Sequence, residues 1–213
     1  MPGTAIEIVK NDEVDADSEG GGVYDRLKRS CRSPLFLKRN IALDIAAKKR
    51  KELFLETWPS ISQNILNSNK FADVPDVPKW LKKVYDYNLQ GGKKNRGLTT
   101  VLAYEMLESP DKVTDEMLKL ARVLGWCVEL MQAFFVMLDD LMDSSEMRRG
   151  SPCWYRVPGV GLNVINDALL IQGVIYQVIL KTYFEDKPYY KKIVDLFNEV
   201  TKNFEAPKHP RSV

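Results

Sequence analysis

Histidine is nearly missing from this chain: His209 is the only one among 213 residues. That argues against a mechanism built on a histidine base or on histidine metal ligands. Cysteine is scarce as well. Cys31, Cys127 and Cys153 are far apart, odd in number and form no CxxC pair. A zinc ribbon or a disulfide scaffold is therefore not expected, and a reducing compartment fits better. Neither sign of charge dominates, with 31 Lys plus Arg against 29 Asp plus Glu and a net charge of +2. Such a balance gives no reason to expect nucleic acid as a partner. Long apolar runs look equally scarce. The best, Val164 to Leu180, is interrupted by Asn166, Asp167, Gln172 and Gln177. It falls short of the roughly 20 apolar residues a membrane span needs, so no transmembrane segment is expected. Residues 1–20 hold six acids and one lysine, unlike a secretory signal or an acid-poor mitochondrial leader. That start favours the cytoplasm. What remains for chemistry is carboxylate, lysine, arginine, tyrosine and backbone.

The length suits one globular domain. Residues 1–22 are acidic and end in Gly20-Gly21-Gly22, and read as disordered. Residues 23–50 reverse sign, with nine Lys or Arg against two Asp, which reads as a solvated basic face or an anion-attracting patch. A helical period begins near Ile41 and runs through Ile45, Phe54 and Trp58 to Pro59, expected to stop or redirect it. Further helices are expected over about 80–89, 98–108, 114–142, 162–183 and 189–204. Thr114 followed by Asp115 and Glu116 marks the start of the longest. No convincing strand pattern or repeat occurs. The fold class is all-α, an antiparallel helical bundle with short loops.

Asp139-Asp140-Leu141-Met142-Asp143 follows the apolar run Phe134-Phe135-Val136-Met137-Leu138. At about 100° per residue, Asp139 and Asp143 fall about 40° apart on one helix face, and Gln132 about 20° from Asp139. An amide and two carboxylates thus share a stripe on an otherwise apolar helix. Three carboxylates near a helix C-terminus repel one another and oppose the dipole, so a cation should compensate. Oxygen ligands without histidine or thiolate suit Mg²⁺, usually held by one or two carboxylates plus substrate phosphates. The plainer reading is a solvated acidic helix end. Arg148-Arg149-Gly150 lies five residues downstream. Two adjacent guanidiniums suit a diphosphate, or pair simply with Asp143 and Glu146.

Gly91-Gly92-Lys93-Lys94-Asn95-Arg96-Gly97 lies between two expected helices. Glycines let backbone N–H groups approach an anion, the next helix N-terminus favours negative charge, and Lys93 and Arg96 add two cations. The P-loop pattern is absent. A glycine helix stop with exposed basic residues explains the loop equally well alone. Beside the aspartates and the arginine pair, it gives two anion sites in an apolar bundle, which suits two diphosphates with greasy tails.

These pieces, in this order, resemble the farnesyl diphosphate synthases, trans-prenyltransferases of the all-α isoprenoid synthase fold. The resemblance rests on Tyr87-Asn88 with the 91–99 loop, Gly125 through Phe135, and Asp139 through Ser145. It continues in Arg148-Arg149-Gly150, Cys153-Trp154-Tyr155, 158–162, Asn166-Asp167-Ala168 and Pro188-Tyr189-Tyr190. It covers about residues 50–204, giving a helical domain over 41–204, a non-family or disordered segment 1–40 and a non-family tail 205–213.

The resemblance implies condensation of isopentenyl diphosphate with dimethylallyl and geranyl diphosphates. Lys93, Arg96 and Gln132, joined by Arg149, would hold the isopentenyl diphosphate. Asp139 and Asp143 would bind Mg²⁺ at the allylic diphosphate, with Asp140 supporting them and Arg148 contacting that diphosphate. Phe134 and Phe135 would floor the chain-length pocket and imply a C15 product. Family enzymes are homodimers and longer, with a second aspartate-rich motif. Downstream of Asp143 no DDxxD occurs, so the chain is expected to be a C-terminally truncated relative. Beside the enzyme stands an alternative: a catalytically inactive helical partner of a full-length synthase.

Overall fold

The structure, a computed structural model, describes residues 34–89 and 91–205, with side chains from 44 to 204. The acidic start, residues 23–33 of the basic stretch, Cys31, His209 and the last eight residues lie outside the described part. The chain divides into two units, 1–47 and 48–213. Within the first, the described residues are helical.

Helix α1 spans Pro34–Leu66 and contains Pro59. The expected break at Pro59 does not occur. Proline inside a helix costs about 3 kcal/mol, but Phe54, Ile61 and Ile65 flank it on the buried face with no exposed surface. Burying side chains of that size contributes roughly 1.5–3 kcal/mol each, which outweighs the proline. A 3₁₀ turn, Asn69–Phe71, leads to α2, Asp76–Leu89. After the Gly91-Gly92 break, α3 runs Asn95–Leu107 and α4 Asp115–Met142. The Thr114 hydroxyl accepts from the Met117 N–H, the cap the sequence indicated.

Next comes a small antiparallel hairpin, β1 Met147–Arg148 and β2 Ser151–Pro152, in which Arg148 faces Ser151. Two-residue strands leave no alternation to read, so the sequence did not reveal them. Short 3₁₀ turns at Trp154–Arg156 and Gly161–Asn163 follow. Helix α5, Val164–Val174, widens into a π turn over Ile175–Leu180 and continues as α6, Lys181–Phe184. Helix α7 is Tyr190–Glu205. The all-α expectation holds.

Helix α4 is the central post, packed by α3 on one side and α5 on the other. Trp126 on α4 stacks on Phe54 at 4.7 Å, lies 4.6 Å from Trp58 and donates its indole N–H to the Phe54 carbonyl at 2.9 Å. At the α3–α4 crossing, Gly97 and Gly125 let the backbones meet. A Cβ on Gly125 would stand 2.7 Å from the Gly97 carbonyl oxygen. Two segments, Asp115–Met142 and Gly161–Phe184, are long and apolar enough to cross a membrane by length and composition. This corrects the expectation that no stretch qualifies: the polar residues in them are too few and too dispersed. In this fold 56% and 44% of their apolar windows are buried against other elements, as bundle-core helices are.

Candidate active site

The C-terminal end of α4 carries the aspartates, and the hairpin after it folds back beside them. Between its strands, Arg149 and Gly150 have φ of 54° and 82°. Positive φ at both turn residues matches the twist of a two-residue hairpin. Glycine takes this freely, whereas a non-glycine residue there is strained by about 1–2 kcal/mol. The turn places Arg149 at the hairpin tip. Its guanidinium reaches the glycine loop, where a Cβ on Gly92 would lie 3.2 Å from the Arg149 Cζ. Gly92 itself has φ of 69°. Glycine there provides both the conformation and the space for the arginine.

A cleft forms where these parts converge. Asn88 of α2, Lys94 of the loop, Glu129, Gln132 and Asp140 of α4, and Arg148 and Arg149 of the hairpin line it, with Trp154 as an aromatic wall. Its free space is about 50 Å³, room for roughly one or two waters. Side chains, not open space, define the site.

Asp140 is 4% exposed. Arg148 binds it through a fork, Nε donating to Oδ1 and Oδ2 at 2.8 and 2.9 Å and Nη2 to Oδ1. That hydrogen bond raises the already high Arg148 pKa. The cation called for by three clustered carboxylates is therefore within the chain for the middle one. Asp139 is half-buried and Asp143 is exposed. Asp143 caps α4, its N–H donating to the Asp139 carbonyl at 2.8 Å. Among the described residues no three His, Cys, Asp or Glu side chains are grouped to hold a metal. Asp139 and Asp143 could provide two oxygen ligands one turn apart, a donor set of the kind Mg²⁺ takes when substrate phosphate completes its shell.

Gln132 and Arg149 share the cleft, as the sequence suggested. Lys93 and Arg96 are exposed and do not line it. Lys94 does, at φ 54° and 7% exposure. Its Nζ donates to the Leu89 carbonyl at 2.5 Å and to the Gly91 carbonyl. Burial pushes its pKa down, opposed by Glu129 and aided by Arg149 and Lys51. The α3 N-terminus was expected to face a ligand anion. Instead the Gly97 N–H donates to the Glu129 carboxylate at 2.9 Å. Lys94, Glu129 and Trp154 stand inside the motifs that carry the resemblance but were given no site role from the sequence. Glu129 was within reach, since it lies one turn before Gln132 on the same face. Lys94 could not be told from Lys93 without the backbone turn. Phe134 is fully buried, and half-buried Phe135 stacks on Phe204 of α7 at 4.0 Å.

Residues 78–207 match the polyprenyl synthetase family. The chain belongs to that family. Among polyprenyl synthetase relatives, the farnesyl pyrophosphate synthase of Panax ginseng is 44% identical over 150 residues, covering 70% of this chain and 44% of that protein. A farnesyl pyrophosphate synthase of Arabidopsis thaliana named as mitochondrial is 44% identical over the same share of this chain and 39% of its own. The crystal structure of T. brucei farnesyl diphosphate synthase superposes with a TM-score of 0.66 at 35% identity, over 71% of this chain and 44% of that one. The all-α fold is the one polyprenyl synthetases of this kind share. This chain thus spans less than half the length of these relatives.

Proposed function

We propose that this polyprenyl synthetase acts in prenyl transfer, joining isopentenyl diphosphate to an allylic diphosphate, dimethylallyl or geranyl, to give farnesyl diphosphate. The convergence of Arg149, the Gly91-Gly92 loop and Gln132 beside the α4 aspartates carries this reading. In one chain segment it combines a cationic, bidentate anion site with a separate oxygen-ligand pair. The family relationship supports it over a non-catalytic partner.

In this reading Arg149 and Gln132 hold the isopentenyl diphosphate, with Lys93 and Arg96 drawing it in from the rim. Asp139 and Asp143 would hold Mg²⁺ at the allylic diphosphate. When bound, Mg²⁺ stabilises the charge that gathers on the departing diphosphate. Asp140 keeps Arg148 oriented toward that charge, leaving part of the guanidinium free to donate. Phe134 and Phe135 close the space beneath the aspartates and limit the product's length. Exposed Ile165 and Leu169 on α5 and Leu196 and Val200 on α7 supply faces for a second copy or a longer synthase.

Calorimetric titration with inorganic diphosphate and Mg²⁺ tests the site. The wild-type chain should bind, Arg149→Ala should bind about tenfold or more weakly, and Asp139→Ala/Asp143→Ala should lose the Mg²⁺-dependent part. Affinity indifferent to all three substitutions would overturn the reading.

A further inference from the structure

Behind the aromatic wall of the cleft sits a buried carboxylate that the proposed reaction does not use. Asp167, in the first turn of α5, is 3% exposed. Its Oδ1 accepts the Trp80 indole N–H at 2.6 Å and its Oδ2 the Trp154 indole N–H at 2.8 Å. Among the described residues, no lysine or arginine forms an ion pair with it. The helix N-terminus and two indole dipoles stabilise its charge instead. Lys83 adds a cation over the outer ring faces, 4.9 Å from the Trp80 centroid and 5.8 Å from that of Trp154.

Indoles donate only one hydrogen bond each. The bond from Trp154 therefore fixes that ring's direction, and the ring is tied to the hairpin twice. Tyr87 packs on Trp154 at 5.0 Å and donates its hydroxyl to the Pro152 carbonyl at 2.8 Å. Cys153, adjacent to Trp154, closes the hairpin by donating its N–H to the Glu146 carbonyl at 3.0 Å. Four residues before Cys153 stands Arg149, held in the left-handed region by its turn. The hairpin has two ladder pairs and exposed strands, too little to stand alone. The Arg148 fork to Asp140 holds its first strand, and the order of its returning strand comes from what anchors its end.

We infer that Asp167 is a positioning residue: through the Trp154 indole it anchors the hairpin that presents Arg148 and Arg149 to the diphosphate. It touches neither the cleft nor the reacting groups. The diphosphate consequence rests on the function proposed above; the anchoring does not. Asp167→Leu is the informative change, because it keeps roughly the volume and removes both acceptors, whereas an amide could still accept from Trp154.

Hydrogen exchange read peptide by peptide tests this. Asp167→Leu should raise exchange at the Cys153 amide about tenfold, the weight of one hydrogen bond to a charged acceptor. Peptides from the middle of α4 should stay unchanged. Trp154→Phe should reproduce the loss, whereas Trp80→Phe, which frees the other carboxylate oxygen, should not. Affinity for inorganic diphosphate with Mg²⁺ should fall by a similar factor in Asp167→Leu and Trp154→Phe but not in Trp80→Phe. Unchanged hairpin exchange, uniform loss of protection through α4 and α5, or equal effects of the two tryptophan changes would overturn the inference. So would a loosened hairpin with undiminished diphosphate affinity. A wild-type chain that takes no diphosphate would overturn the prenyl-transfer reading instead, and hairpin exchange would then decide the positioning role by itself.

Discussion

Lys94 shows how one side chain in this site can differ from its neighbour. Lys93 is exposed, while Lys94 is buried with its ammonium on two carbonyls. Burial lowers its folded-state pKa below the ordinary 10.5. Between the lowered value and the ordinary one, the unfolded chain binds more protons than the folded one. Stability from this group therefore rises with pH across that alkaline window. Urea denaturation as a function of pH should show the rise in wild type and its absence in Lys94→Met. Arg148 acts differently, as the counter-cation of a buried carboxylate. Arg148→Ala should destabilise the chain by about 1–3 kcal/mol. That is below the roughly 3–5 kcal/mol for a fully buried pair, because the Arg148 side chain is 41% exposed. Arg149→Ala, which removes no ion pair among the described residues, should cost clearly less in the same urea titration. Arg148, Arg149, Gln132 and the aspartates were legible as a group because spacing on one helix and adjacency along the chain are sequence properties. Which aspartate faces inward, and which lysine, depends on tertiary burial.

At the scale of elements, helix existence was legible and helix interruption was not. The Thr114 start and the long α4 followed from capping and apolar content. Pro59 misled because a local propensity of about 3 kcal/mol meets a buried face of Phe54, Ile61 and Ile65. The hairpin escaped because its strands have two residues each. Its one signal was the Arg149-Gly150 pair, a two-residue turn in hindsight. The α3–α4 crossing makes a sharp prediction. Gly125→Ala raises intrinsic helix propensity by up to about 1 kcal/mol. Its Cβ would lie 2.7 Å from the Gly97 carbonyl oxygen and 2.9 Å from Phe54 Cε2. Overpacking against backbone typically costs about 1–3 kcal/mol, so the net effect should be destabilising. Thermal denaturation should show a lower Tm for Gly125→Ala, and an increase would mean the crossing is looser than described.

At the scale of the whole molecule, the bundle places its chemistry at one end of its central helix. Helix α4 and its C-cap deliver Gln132, Asp139, Asp140 and Asp143 in about three turns. The loop before α3 and the hairpin after α4 close around that end. Aromatic residues from α1, α2 and α7 pack the rest. Class and site were legible because α4 carries both the longest apolar pattern and the acid cluster. The wall behind the cleft was not, because Trp80, Trp154 and Asp167 are distant in sequence and meet only in the fold. The chain spans 44% of the ginseng relative, so catalysis by these 213 residues is the central claim to test. The direct measurement is transfer of labelled isopentenyl diphosphate onto geranyl diphosphate by the purified chain with Mg²⁺, with Asp139→Ala/Asp143→Ala as control. The account predicts a C15 product that falls at least about a hundredfold in the control, the scale of removing the electrostatic stabilisation of a leaving group. A folded wild-type chain that binds diphosphate yet forms no product, or forms it equally well without the two aspartates, would contradict it.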